Sequence, residues 1–587
     1  MLDKRSPEAA QLARRWISSF AAALERGDEA LLARLFDRES YWRNLSGISW
    51  PIRTFSGPEA IARELRTRSG ISQPSAFDLD IDRFTPRENV IAGRRVIEAL
   101  FRFSTVNGPG EGVVRLLWSP GGWDAEPRAW MMSTVLDIEG ICRQRGGQET
   151  LSNMRDFGEP SWEEKRKAQL AYTDREPDVL IVGGGHGGVS AAAELKRLGY
   201  DALVIDRLPR VGDNWRLRYD GLKLHNTWHV NHFRYLPFPI TMPGYLPKDK
   251  IANWIEFYVD ALDLNFWTGT TFEHARYDEA TKSWIASVRR CDGSIRELMP
   301  KHIVMASSVS GTPNIPTIPT IENFGGSVVH SSAFRNGVEW SGRPVLVIGS
   351  ATSGHDIAQE LHAQGAKVTM VQRSSTLVMS MEASALYDSI YLGDGPPLEV
   401  RDLLNSATPY PVAKQVHRAI TQKVKEVDAE LHERLRAVGF KLDFGIDETG
   451  WPLKFRTRGG GYYFNIGASD LIANREVGLI QASDIRQFVQ DGVEMNDGAV
   501  IPAEAIVLAT GFKGHDHMVL THFGPEVAKK VGPVWGLDPD YHELRNMWTK
   551  TGQPGLWFTG GAFSMSRIYS RNLALQIDAI ETGRLEK

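Results

Sequence analysis

The sequence predicts an α/β protein built on two dinucleotide-binding, Rossmann-like domains and preceded by an α+β domain. Three observations predict it. A strand, Gly-rich turn and helix begin at Asp178 (DVLIVGGGHGGVSAAAELKRLG), and a second unit of the same kind begins at Arg343 (RPVLVIGSATSGHDIAQELHAQG). Upstream of both, an amphipathic helix is followed by β-rich segments between residues 76 and 138, which is the pattern of an α+β unit.

The 587 residues exceed what one hydrophobic core usually supports, so several folding units are expected. Residues 1–142 read as the α+β domain. Over residues 8–35, Ala9, Leu12, Ala13, Trp16, Ile17, Phe20 and Leu24 recur on one helical face. FDLDIDRF, RRVIEALFRFSTV, GVVRLLWS and AWMMSTVLDI then read as strands between Gly, Pro and Asn punctuation. Residues 143–176, polar and rich in Gly and charge, read as a linker with one short helix. The first nucleotide-binding domain is expected over 177–340 and again over 505–587. The second is expected over 341–504, with a helical insertion at about 384–440 that includes VKEVDAELHERLRAVGF. The chain closes with the strands AIVLATGF and GLWFTGG and a helix from about Asn572.

Composition excludes several classes. The hydrophobic fraction is 42% and the charged fraction 24%, ordinary for a soluble globular protein. The net charge is −4, from 68 basic and 72 acidic residues well mixed along the chain, which argues against nucleic acid or an anionic membrane as the main partner. Cys142 and Cys291 are too few and too far apart for a disulfide framework or a CxxC redox pair. The start is charged from its third residue and no run of 18 apolar residues occurs. A cytoplasmic protein with no signal and no spanning helix is expected. No metal is expected.

In the first Gly-rich turn, Gly183, Gly185 and Gly188 form GxGxxG, with His186 and Gly187 inside it. The first glycine allows the tight turn, the second lets backbone approach a pyrophosphate, and the third lets helix and strand pack. The helix N-terminus adds free N–H groups and the positive end of its dipole. Asp206, followed by Arg207, ends the next strand, where a carboxylate accepts hydrogen bonds from ribose hydroxyls. In the second turn Gly349, Ala351 and Gly354, with Thr352 and Ser353, are followed after the next strand by Arg373, Ser374 and Ser375. An arginine and two hydroxyls in place of an acid suit a 2′-phosphate. The alternative is a decayed duplicate with Arg373 merely solvated. A first site for FAD and a second for NADPH let hydride pass from nicotinamide to flavin. With no CxxC to take the electrons, O2 is the simplest acceptor.

Between the two units, Phe324, Gly326, His330, Phe334 and Arg335 match FxGxxxHxxx[FY][KR]. Here the chain, over roughly residues 177–587, resembles the class B flavoprotein monooxygenases, the flavin-containing monooxygenase family that includes the plant YUCCA enzymes. Baeyer–Villiger members place Trp where Phe334 stands, so the resemblance leans towards heteroatom oxygenation. His330 has a second reading, as an organiser of the interdomain linker. The segment Gly212–Arg216, with Trp215, resembles the family's GGxW beside the flavin. The segment Tyr219–Asn226 resembles the one whose asparagine faces the flavin. The resemblance implies that Asn226 holds the flavin peroxide and orients NADP+. Thr510 and Gly511 resemble the ATG strand returning to the FAD domain, and Gly560-Gly561 the last FAD-contacting turn. Trp228, His229 and His232 are candidates for the substrate wall, with packing the alternative.

Trp16, Phe20, Phe36, Tyr41-Trp42-Arg43 and Phe55-Ser56-Gly57, with the strands after them, resemble SnoaL-like or NTF2-like cone domains. Such a domain serves as a second pocket, a lid or a pairing unit, so a homodimer is an open expectation. The implied activity is FAD- and NADPH-dependent monooxygenation of a small organic substrate by a flavin C4a-hydroperoxide, at nitrogen or sulfur. The alternatives are Baeyer–Villiger insertion, oxidative decarboxylation of a 2-oxo acid as in the YUCCA group, and an uncoupled NADPH oxidase.

Overall fold

Helix α1 (Pro7–Arg26) buries Ala9, Leu12, Ala13, Trp16, Ile17, Phe20, Ala23 and Leu24, the stripe that its 3.6-residue period puts on one side. The computed structural model to which it belongs describes residues 4–5, 7–118, 126–145, 158–307 and 311–586. Helix α2 (Glu29–Arg34) is capped by Asp28, whose carboxylate accepts from the Leu31 amide. With α3 (Pro58–Ser72) these helices cover one face of an eight-stranded sheet. Its strands are β1 (Lys4–Arg5), β2 (Phe36–Leu45), β3 (Ile52–Ser56), β4 (Ser75–Leu79), β5 (Arg87–Ile91), β6 (Arg94–Thr105), β7 (Gly108–Leu117) and β8 (Arg128–Leu136). They run in the order β1-β5-β6-β7-β8-β2-β3, with β4 pairing β6. Strands β2 and β3 lie before the run that the alternation marks. They complete the sheet because β2 pairs in parallel with β8.

The two faces of this sheet have different partners, as strand alternation allows. Ile97, Ala99, Phe101 and Phe103 of β6 join the core under α1. Leu100, Val113 and Val135 instead join the main core with Leu403, Tyr569 and Leu573. The second face is thus docked on the rest of the protein. Of the linker, residues 146–157 lie outside the described residues. The rest includes the helix Trp162–Ala171, which starts with a capping box between Ser161 and Glu164.

The first nucleotide sheet has five parallel strands, Asn265–Trp267, Ala202–Ile205, Val179–Val182, His302–Met305 and Leu556–Phe558, in that order. The second has Ser327–His330, Ala505–Leu508, Pro344–Ile348, Lys367–Gln372 and Gly478–Gln481, again all parallel. This corrects the expected boundaries at 340 and 505. Ser327–His330 pairs with Ala505–Leu508, which pairs with Pro344–Ile348, so the first and last strands of the second sheet's sequence lie outside 341–504. Strand pairing across about 180 residues leaves no local trace that a boundary reading can use. Between 384 and 440 the insertion is mainly helical, and the segment VKEVDAELHERLRAVGF is divided at Asp428 between the helices Tyr410–Val427 and Ala429–Ala437.

The terminal helix is Phe563–Glu581, nine residues earlier than the expected start at Asn572. Its first turns carry Ser566, Arg567, Ser570 and Arg571, all buried, so their polarity disguises an interior helix. No helix among the described residues is long and apolar enough to cross a membrane.

Candidate active site

Both Gly-rich turns are built alike. Gly183 has φ +113°, and a Cβ there would lie 2.6 Å from the Ala306 carbonyl oxygen. Gly349 has φ +124°, and a Cβ there would lie 2.3 Å from that of Ala509. Added Cβ atoms on Gly188 and Gly354 would stand 2.0 and 1.9 Å from the carbonyl oxygens of Gly183 and Gly349. These glycines therefore allow backbone contact between turn, helix and neighbouring strand. At the middle position Gly185 has φ −76° and Ala351 φ −90°, a region open to any residue, which is why alanine serves in the second turn. Each turn feeds a helix N-terminus, His186–Arg197 and Thr352–Ala363.

The carboxyl ends of the two sheets face one cavity of about 1750 Å³, the place where ligands bind in such folds. Gly183, Gly185, His186, Gly187, Asp206, Arg207, Trp215 and Asn226 line it from the first domain. Gly349, Ala351, Thr352, Ser353, Arg373, Ser374, Ser375, Thr510, Gly511 and Arg335 line it from the second domain and the crossings between them. Gly188, Gly354, Phe324, Gly326, His330 and Phe334 do not. Phe324 and Phe334 sit in the two cores of the second domain, and a Cβ on Gly326 would stand 2.4 Å from the Glu504 carbonyl oxygen.

In the first half of the cavity, Asp206 accepts from the Gly184 amide at 2.8 Å and the Leu208 amide at 2.9 Å. A carboxylate has about four acceptor positions, so capacity for ribose hydroxyls remains. His186 lies flat on Phe563, ring centroids 4.1 Å apart, and donates from Nε2 to the Gly561 carbonyl at 2.8 Å. Desolvation pulls its pKa down to about 4, so the imidazole is neutral. The buried indole N–H of Trp215 has no hydrogen-bond partner among the described residues. A dinucleotide fits this half: two backbone cradles that a Cβ would fill, a helix N-terminus, an acid at the strand end and a buried donor to satisfy.

In the second half, Arg373 and Ser374 are exposed at the strand end. Ser375 is exposed beside them and lines the same cavity. Nearby, Lys454 grips Asp443 at 2.8 and 2.6 Å. Lys454 and Arg458 also line the cavity. Sequence reasoning missed both; the only signal was a basic run before the triple glycine 459–461.

Asn226 lies on the short strand Lys223–Thr227. Its Oδ1 accepts from Nδ2 of Asn231 at 2.9 Å, which leaves its amide N–H groups as the available donors. Asn231, 2% exposed, was also missed, since nothing local marks it. Trp228 and His229 stack on one another, 3.9 Å between centroids, and His232 accepts from the Phe238 amide. None of the three lines the cavity; they pack behind Asn226. His330 donates from Nε2 to the Gly511 carbonyl at 2.9 Å and accepts at Nδ1 from the Ser332 amide at 3.1 Å.

The pyridine nucleotide-disulphide oxidoreductase family model matches residues 177–440. Dithiol chemistry is not available here: Cys142 is buried, Cys291 exposed, both are free, and neither lines the cavity. The indole-3-pyruvate monooxygenase YUCCA1 of Oryza sativa subsp. japonica is 28% identical over 344 residues, covering 58% of this chain and 77% of that protein. The probable indole-3-pyruvate monooxygenase YUCCA4 of Arabidopsis thaliana is 26% identical over 399 residues, covering 67% and 84%. The matched region and these relatives support a class B flavoprotein monooxygenase. This monooxygenase is an oxidoreductase that uses FAD, NADPH and O2. An open structure of cyclohexanone monooxygenase shares its fold, with a TM-score of 0.51 and 19% identity over 69% of this chain and 88% of that one.

Proposed function

We propose that this monooxygenase transfers one oxygen atom of O2 to nitrogen or sulfur of a small organic substrate, with Asn226 as the catalytic side chain. The observation that carries the reading is the single cavity that joins both Gly-rich turns and has Asn226 on its wall. When bound, FAD supplies oxygen activation and NADPH the reducing equivalents. The protein's part is to bind, orient and exclude water. The helix N-termini at Gly185 and Ala351 receive the pyrophosphates. Asp206 accepts from the ribose of FAD, and Arg373 with Ser374 and Ser375 holds the 2′-phosphate of NADPH. Asn226, its Oδ1 occupied by Asn231, offers a fixed N–H donor where the two ligands meet, and a preorganised donor in a dry site is worth more than in water. His330 acts on the scaffold, clasping the Gly511 turn. The N-terminal domain is read as SnoaL/NTF2-like, supported by three helices packed on one face of its sheet.

A second reading is oxidative decarboxylation of a 2-oxo acid, which the names of the plant relatives favour. NADPH consumption against a tertiary amine, a thioether, a ketone and indole-3-pyruvate, with hydrogen peroxide measured in parallel, separates the two. The first reading expects product from the amine or thioether with little peroxide. Product from indole-3-pyruvate alone replaces it with the second.

A further inference from the structure

The helix Leu398–Ser406 has no basic residue in its last turn, although its last carbonyls carry the negative end of its dipole. The cations come from the N-terminal sheet. Arg115 of β7 donates from Nη2 to the Leu404 carbonyl at 2.7 Å and from Nη1 to Thr408 Oγ1 at 3.0 Å. Its Nε pairs with Glu98 at 2.8 Å. Arg43 of β2 donates from Nη1 to the Ser406 carbonyl at 2.6 Å and grips Glu543 with two bonds of 2.7 Å. Both arginines are buried, 2% and 3% exposed.

The same helix reaches toward the cavity. Asp402 grips Arg567 through bonds of 2.7 and 2.8 Å. Arg567 spends its remaining Nη1 on the carbonyls of Val230, at 2.9 Å, and His232, at 2.6 Å. Between these two residues is Asn231, whose Nδ2 holds Asn226 Oδ1 at 2.9 Å and the Thr227 carbonyl at 3.0 Å. Every link joins buried or part-buried groups, and buried charges keep their partners because an unpaired one is costly.

We propose that the N-terminal domain is a positioning element of the active site: Arg115 and Arg43 fix helix Leu398–Ser406, which through Asp402 and Arg567 fixes the Val230–His232 loop that holds Asn226. The inference rests on the role of Asn226 proposed above. Arg115 and Arg43 touch neither ligand position and are positioning residues. Their effect is on where the Asn226 N–H group stands, and small misplacements of such a group lower efficiency steeply.

The test is the flavin-loaded double variant Arg115→Met/Glu98→Gln, in which the ion pair is removed without stranding a buried carboxylate. Its expected signature is faster hydrogen–deuterium exchange at the amides of Trp228, Val230 and Asn231. Peroxide released per NADPH should rise roughly 2–30-fold, the range of coupling carried by such chains, with the KM for NADPH unchanged. In an Asn226→Ala background the same pair of substitutions should add nothing further to peroxide release. Arg115→Lys, which keeps the ion pair and one donor, should restore much of the coupling. Native exchange and native coupling in the double variant would overturn the proposal, as would a fully additive effect with Asn226→Ala. If the double variant fails to hold flavin, exchange in Arg115→Lys decides: intermediate exchange supports the link and native exchange overturns it. If Asn226→Ala itself leaves coupling intact while exchange responds to Arg115, the role of Asn226 falls and the mechanical link stands.

Discussion

His330 Nε2 donates to the carbonyl of Gly511 across 2.9 Å, and this bond joins the outermost strand of the second sheet to the turn where the chain leaves it. Its Nδ1 is already taken by Ser332, with the hydroxyl at 2.9 Å and the amide at 3.1 Å, so both ring nitrogens are occupied within the protein. The prediction is structural. His330→Ala should cost about 0.5–1.5 kcal/mol of stability, because the Gly511 carbonyl loses one of its two hydrogen bonds and keeps the one from the Asn314 amide at 3.0 Å. Denaturant unfolding and flavin retention read this. A variant with native stability but no turnover would assign the histidine to chemistry instead.

Arg373→Ala should raise the KM for NADPH far more than that for NADH. A charge-assisted phosphate contact of about 1.5–3 kcal/mol corresponds to roughly 10–150-fold. Steady-state kinetics with both nucleotides test it, and equal effects would contradict the assignment.

The third glycines separate the two sites. A methyl carbon at Gly188 or Gly354 would stand 2.0 or 1.9 Å from a carbonyl oxygen, and such overpacking costs about 1–3 kcal/mol. Gly354→Ala should raise the KM for NADPH and leave flavin bound, while Gly188→Ala should yield protein depleted of flavin. Flavin absorbance and NADPH kinetics on both variants check it.

His186 carries a pH signature. Its folded pKa is pulled down from the ordinary 6.5 to about 4 by desolvation against a smaller opposing hydrogen bond to Gly561. The unfolded chain takes up that proton first as pH falls. Its contribution is therefore complete above about 6.5, declines through the window down to about 4, and is gone below it. Between pH 7.5 and 5.5 the wild type should lose about 1.4 kcal/mol more stability than His186→Asn. Urea unfolding at the two pH values measures the difference, and identical losses would contradict a neutral, desolvated imidazole.

Legibility in the sequence followed locality. Gly183, Asp206, Gly349 and Arg373 are readable because strand, turn and helix follow one another within one unit, and the structure brings all four to one cavity. The placement of Ser327–His330 and Ala505–Leu508 in the second sheet was not readable, because it depends on strand order rather than periodicity. The early turns of Phe563–Glu581 were hidden by polar residues whose partners lie elsewhere, as in Arg567 with Asp402 and Asn572 with the Leu45 carbonyl. Asn231 and Lys454 were missed because the bonds they make, to Asn226 and Asp443, follow no motif that a sequence reading can use.

If flavin and NADPH meet in one cavity to deliver oxygen to a substrate, the oxygen can be followed by turnover under 18O2, with mass analysis of the product and peroxide measured together. One 18O atom is expected in each product molecule, with one NADPH consumed per product and a rise in peroxide at the product's expense in Asn226→Ala. NADPH consumption that returns all of its oxygen as hydrogen peroxide, with no labelled product from any of the four substrate classes, would contradict it.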